Sequence, residues 1–226
     1  MRARATLKAM VGLVQLVVMI GLLLFVPAGT MRYPEAWIFL TFFAGSSLAI
    51  TLYLMKKDPE LLARRTQVGP VAEKELSQKI IQGFASVAFL STVVVPALDR
   101  RFGWSRAPLP IVALGDILVV LGFLTIFFVF KENTFASSVI EVAAEQHVID
   151  TGPYALVRHP MYLGALVMMP GVPLALGSLV GLLTFVPFVA VVVWRLIDEE
   201  RFLSSRLKGY VEYSKKSRYR LIPYIW

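Results

Sequence analysis

The sequence predicts an all-α fold: a polytopic transmembrane helical bundle of four spans, followed by a C-terminal helical hairpin and an amphipathic tail helix. Three observations carry that expectation. Hydrophobic residues make up 57% of the 226 residues and charged residues only 17%, and the mean hydropathy is +0.69, well above soluble-domain make-up. The apolar residues fall in runs close to the ~20 residues a helix needs to cross a hydrocarbon core of about 30 Å. The basic residues cluster at the ends of those runs.

The first run extends from about Ala9 to Ala28 behind Arg2, Arg4 and Lys8. A basic start, an apolar core and small residues at Ala28 and Gly29 also describe a secretory signal. The run is longer than a signal core, so it is read as the first span. Three more runs follow at about Ala36–Met55, Ile80–Leu98 and Ile111–Phe130. A further apolar region, Met161–Leu196, is too long for one helix; "PGVP" at 170–173 with Gly177 and Gly181 predicts a hairpin whose first arm is short. Residues 1–130 are therefore expected to carry spans one to four, and residues 131–226 the region with chemical potential.

Basic residues set the expected orientation. The loop after the second span carries Lys56, Lys57, Arg64, Arg65, Lys74 and Lys79, whereas the opposite loops carry only Arg32, Arg100, Arg101 and Arg106. The N-terminus is thus expected in the cytoplasm. Four spans and a hairpin put the polar stretch before Pro160 and the C-terminus on that same side. The loop 56–79 reads as a polar connector that turns at Gly69-Pro70.

Composition also excludes chemistry. The net charge of +8 and pI near 9.8 would suit a nucleic-acid binder, but the charges flank apolar runs and read as membrane contacts, with no nucleic-acid partner expected. There is no Cys, and the two His give no metal-ligand spacing, so thiolate and metal sites are not expected. Nothing in the residues specifies an oligomeric state.

The stretch "TGPYALVRHPMYLG", 151–164, is more polar than insertion requires. Gly152-Pro153 predicts a turn, and Pro160 biases His159 away from the α region while suiting the first turn of a helix. Arg158, His159 and Tyr162 then gather at a helix N-terminus, which favours carboxylate or phosphate. In the tail, Leu196, Glu199, Glu200, Leu203, Leu207 and Tyr210 recur at helical spacing. Neighbouring residues point about 100° apart, so one of Glu199 and Glu200 faces a site and the other solvent or headgroups. Bland readings exist for each group. Arg158 and His159 also suit interfacial anchors, Glu199 and Glu200 a salt-bridged face, and Tyr210 and Tyr213 an aromatic belt, the preferred reading for those two. Asp116 is an intramembrane carboxylate; its place near the far side favours pairing with a loop Arg, or proximity to the interface, over function.

The joint pattern of "GPYALVRHPMYLG", the preceding "QHVIDT", "DEERFL" and the Tyr-rich tail "YVEYSKKSRYRLIP" resembles the C-terminal region of the isoprenylcysteine carboxyl methyltransferase family across about 130–226. The resemblance implies an S-adenosylmethionine-dependent integral membrane methyltransferase. It implies cofactor contacts from Gln146, His147, Val148, Ile149, Tyr154, His159, Pro160, Tyr162 and Glu199. It implies catalytic roles for Arg158, Arg195, Glu199 and Glu200, with the two arginines positioning the acceptor. The implied partners are membrane lipids and a lipophilic or prenylated substrate, with the carboxylate of a prenylated cysteine one candidate. Sterol and steroid reductases that use NADPH resemble the same region, but typically place Glu after the Tyr-x-Gly element, where Ala165 stands here. A non-catalytic membrane scaffold is the remaining alternative.

Overall fold

The computed structural model describes residues 2–65, 69, 71, 73, 75–140, 142 and 145–226, with the side chains of 2–5 left out. Pro70 and Lys74, named in the expectations above, lie outside the described residues, as do the side chains of Arg2 and Arg4. The described chain is helical throughout: α1 (Arg2–Ala28), α2 (Pro34–Lys57), α3 (Pro59–Arg65), α4 (Leu76–Phe102), α5 (Leu109–Glu132), α6 (Pro160–Ala175), α7 (Phe185–Arg206) and α8 (Tyr210–Lys216). Five helical stretches are long and apolar enough to span a membrane: Thr6–Ala28, Pro34–Lys57, Leu76–Phe102, Leu109–Glu132 and Val180–Arg206. The protein is an integral membrane protein with the expected bundle. The 16-residue α6 is the short arm of the hairpin; at 1.5 Å per residue it reaches only about 24 Å.

The hairpin turns at Gly177, one of the expected glycines, but the prolines before it do not break the helix. Pro170 and Pro173 both lie inside α6, and the chain reverses at Leu176–Leu179, where Gly177 takes φ +75°. The helix survives because its glycine face packs against that of α5. A Cβ at Gly115 would strike the backbone nitrogen of Ala175, one at Gly171 would lie 2.8 Å from the Gly115 carbonyl, and one at Gly122 would meet Met168. Gly115 and Gly122 on α5, and Gly164 and Gly171 on α6, thus repeat every seven residues and let two antiparallel backbones touch. Such close packing is what holds membrane helices together and tolerates proline within them.

A buried core runs from Ile20 and Leu24 of α1 through Phe39 and Phe43 of α2 and Val93 of α4 to Met169, Val172 and Val192 of the hairpin. At one end of the bundle, Tyr33 donates to the Leu176 carbonyl at 2.5 Å, and Asp99 accepts from the Ser105 amide at 2.6 Å and the Ser178 hydroxyl at 2.5 Å. Asp116 makes no pair with a loop Arg: it is buried, and its Oδ1 has no partner among the described residues.

The opposite end holds the polar segments. The loop between α2 and α4 is more than a connector there, because it straps the stretch after α5. Arg64 donates to the Thr134 carbonyl at 2.9 Å and Arg65 to that of Ser137 at 3.0 Å, while Glu73 accepts from the Ile140 amide at 3.1 Å. The tail is also not one continuous helix. α7 ends at Arg206, Gly209 takes φ +85°, and α8 starts at Tyr210, folding Leu207, Tyr210 and Tyr213 into a buried cluster with Val148 and Tyr154.

Candidate active site

Proline geometry builds the centre of this end. His159 caps α6 at φ −125°, with Pro160 as the first helical residue, as the steric bias before proline requires. The amides of Arg158 and His159 are not free for a ligand, because they donate to the carbonyls of Tyr219 at 2.9 Å and Arg220 at 3.0 Å. The C-terminal tail therefore takes up donors that the sequence reading left for a ligand.

The two adjacent glutamates diverge, as the helical period demands, but the one turned from the cavity does not meet solvent or headgroups, because Arg158, His159 and Arg220 enclose it. Glu200 is buried and gathers two guanidinium groups and an imidazole: Arg158 at 3.2 Å, Arg220 at 2.9 Å and His159 Nε2 at 3.3 Å. Glu199 points instead to the cavity side, where it accepts from the Tyr162 hydroxyl. The same phenol oxygen accepts from Arg195 Nε at 3.2 Å. Arg195 is otherwise fully engaged: by Glu73 at 2.7 Å, the Gln78 amide oxygen at 3.0 Å and the Ser138 carbonyl at 3.1 Å. Gln78 in turn donates to Asp198.

One cavity lies between these elements, with an empty volume of about 790 Å³ including the solvent at its mouth. Gln146, His147, Val148 and Ile149 form one wall, Tyr154 and Arg158 to Tyr162 another, and Glu199 reaches in from α7. Arg195 and Glu200 do not line it; each stands behind a residue that does. Asn133 and Phe135, Leu203 and Leu207, and Tyr210 and Tyr213 also line it. The aromatic-belt reading of Tyr210 and Tyr213 is thereby corrected: both are buried, because the Gly209 turn folds α8 back onto the cavity rather than along the membrane surface.

The cavity phenols are neutral. Burial pushes the hydroxyls of Tyr154 and Tyr210 far above the usual range, and that of Tyr213 up to about 12. Tyr154 accepts from the Asn133 amide at 2.8 Å and Tyr213 donates to the Tyr154 carbonyl at 2.8 Å. The arrangement offers a carboxylate, several aromatic faces and the Arg158 guanidinium within one enclosure. That set suits a small molecule bearing both charges.

The residues that sequence reading missed are Glu73, Gln78 and Asn133 with the two tail tyrosines. Only the tyrosines carried a signal, their helical spacing from Glu199; Glu73 lies in a loop with no periodicity to place it.

Residues 110–208 match the phospholipid methyltransferase family. Over 132 residues the chain is 29% identical to Protein-S-isoprenylcysteine O-methyltransferase B of Arabidopsis thaliana, a match covering 55% of this chain and 62% of that protein. Over 136 residues it is 29% identical to the Delta(14)-sterol reductase TM7SF2 of Mus musculus, covering 52% of this chain and 32% of that protein. The chain thus spans less than two thirds of the length of either relative. The resemblance carried by the Arg-His-Pro turn and the glutamate pair is borne out as a similarity: residues 110–208 are similar to the phospholipid methyltransferase family, and the chain is similar to an isoprenylcysteine O-methyltransferase.

Proposed function

We propose that the protein is an S-adenosylmethionine-dependent membrane methyltransferase acting on a lipophilic or amphipathic acceptor, with the carboxylate of a prenylated cysteine the first acceptor to test. The observation that carries the reading is the single cavity in which Glu199 and the aromatic rings face Arg158 and His159. S-adenosylmethionine bears a carboxylate, an ammonium and a sulfonium, and the donor set matches it: Glu199 for the ammonium, the rings of Tyr154 and Tyr162 for cationic character, Arg158 for an anion. Gln146, His147, Val148, Ile149, His159 and Pro160 complete the enclosure.

The cofactor supplies an electrophilic methyl group when bound. The protein's part is positioning two reactants in line and keeping water out. Arg158 serves the carboxylate of the methyl donor, and Glu200 fixes Arg158 and His159 from behind. Arg195 orients the Tyr162 hydroxyl toward Glu199. A carboxylate acceptor needs no base. Residues 131–226 act as the cofactor-binding region on the spans of 1–130, completed by the strap that carries Glu73. The site, N-terminus and C-terminus face the cytoplasm; the chain has no Cys, so single introduced cysteines can report sidedness by impermeant labelling.

Calorimetry of S-adenosylmethionine with detergent-purified protein tests the site. Binding that is unchanged in both His159→Ala and Glu199→Ala removes the assignment. Truncation from Asp198 is expected to abolish binding while the first four spans still insert. Incubating membranes with radiolabelled methyl donor and a panel of prenylcysteines, phospholipids, fatty acids and small thiols identifies the acceptor. The match to a sterol reductase favours a second reading, hydride transfer from NADPH to a sterol-like substrate. Tritium transferred from labelled NADPH, with none from the labelled methyl donor, would establish that reading instead.

A further inference from the structure

Four tyrosines line the cavity, and three have their hydroxyls engaged. Tyr154 accepts from Asn133, Tyr162 donates to Glu199, and Tyr213 donates to the Tyr154 carbonyl. Tyr210 is the exception. It is only 4% exposed, yet its hydroxyl has no partner among the described residues. A buried hydroxyl without a partner costs free energy that a phenylalanine ring would not incur. Packing against Leu207 and Tyr213 explains the ring and leaves the oxygen unexplained.

A second buried donor lines the same cavity. Arg158 Nε lies 3.2 Å from Glu200 Oε1 but lacks hydrogen-bond alignment to it and has no other partner. Glu200 is itself paired with Arg158 and Arg220, which offsets its charge. Burial and the charges of Glu200 and Glu199 keep the Tyr210 hydroxyl protonated. It is therefore a donor, and its complement is a lone-pair oxygen.

We propose that Tyr210 is a ligand-binding residue whose hydroxyl, beside Arg158, donates to the carboxylate at the amino-acid end of the methyl donor. This rests on the methyltransferase reading and deepens it: Glu199 takes the ammonium of that zwitterion, and Tyr210 with Arg158 takes its carboxylate. Selectivity for a ligand with an intact amino-acid end follows.

The test is calorimetry on the full chain in detergent, with S-adenosylhomocysteine and 5′-methylthioadenosine as probes and Tyr210→Phe as the variant, alongside thermal unfolding. Tyr210→Phe loses no internal hydrogen bond, so its unfolding midpoint is expected to equal or exceed that of the wild type. Tyr213→Phe, which loses its bond to Tyr154, is expected to unfold earlier. Affinity of Tyr210→Phe for S-adenosylhomocysteine is expected to fall about tenfold or more, the loss of one hydrogen bond to a charged group. Affinity for 5′-methylthioadenosine, which has no amino-acid end, is expected to hold. Equal affinity of wild type and Tyr210→Phe for S-adenosylhomocysteine would overturn the inference and leave the methyltransferase reading standing. Equal losses for both probes would also overturn it, by assigning the hydroxyl to the nucleoside, as would a marked fall in the unfolding midpoint. A wild-type protein that binds neither probe overturns the reading and this inference with it.

Discussion

Glu73 offers the most direct test of how the site is held. It is 3% exposed, and its two oxygens serve two elements: Oε1 takes Arg195 at 2.7 Å and Oε2 takes the Ile140 amide at 3.1 Å. Glu73→Ala leaves a buried guanidinium and a buried N–H short of an acceptor. Breaking a buried ion pair from one side costs about 3–5 kcal/mol. Arg195 keeps Gln78, Ser138 and Tyr162, so the low end applies, and about 3 kcal/mol is expected for the two losses together. Glu73→Gln keeps one acceptor and is expected to cost about 1–2 kcal/mol. In Glu73→Ala/Arg195→Met the stranded charge is gone, so the pair of substitutions costs less than its sum by about 1–3 kcal/mol. Unfolding in mixed micelles, driven by a denaturing detergent and followed by circular dichroism, measures the wild type, these three variants and Arg195→Met, which completes the cycle. Hydrogen exchange at Ile140 adds a local readout, with protection lost in Glu73→Ala. A cost below about 0.5 kcal/mol, or strictly additive substitutions, would refute the reasoning.

Three further outcomes are expected. Gly115→Ala drives a methyl group into the Ala175 backbone, where no side chain can yield, so a loss above about 2 kcal/mol in the same detergent titration is expected. Asp116→Ala is expected to be neutral or stabilising by up to about 2 kcal/mol, since the carboxylate lacks a full set of partners. Asp99→Ala strands Ser105 and Ser178 and is expected to cost about 2–3 kcal/mol; equal effects of these two aspartate substitutions would contradict the assignments. High pH is expected to loosen the tail cluster. The phenols of Tyr154, Tyr210 and Tyr213 are raised above their ordinary value of 10.0 by burial. The unfolded chain therefore gives up these protons first, and stability that is intact below pH 10 falls as pH climbs from there, to about 12 for Tyr213. The unfolding midpoint against pH checks this, and Tyr213→Phe is expected to show a shallower decline.

The spans and the shared end of the polar segments were legible because hydrophobic runs and proline sterics act locally. Glu199 and Glu200 were legible as a diverging pair for the same reason, the helical period. The turn at Gly177 was legible, but the break at 170–173 was not met, because proline counts as a breaker only when nothing holds the helix, and here the seven-residue glycine spacing of α5 and α6 brings the two backbones into contact. That signal is in the sequence, but it reports on a pair of helices rather than one. The strap was not legible, since Arg64, Arg65 and Glu73 have the composition of a solvated loop and only the tertiary fold buries Glu73. The tail tyrosines were misread because Gly209 ends one helix and starts another, a left-handed residue that a continuous helical pattern conceals.

The separation of roles between Glu199 and Glu200 explains why the site is built from distant segments. One carboxylate in a cavity of mixed charge would be drawn to the guanidinium groups around it and lost to a ligand. Here Glu200 engages Arg158, His159 and Arg220, and Glu73 engages Arg195. Among the described residues, Glu199 is then left with the neutral Tyr162 hydroxyl as its hydrogen-bond partner, a contact that a ligand ammonium displaces at less cost than a salt bridge. The tail contributes Arg220 to that balance and its Tyr219 and Arg220 carbonyls to the turn before α6. Each remote segment therefore neutralises a charge that would otherwise occupy the one carboxylate left for binding.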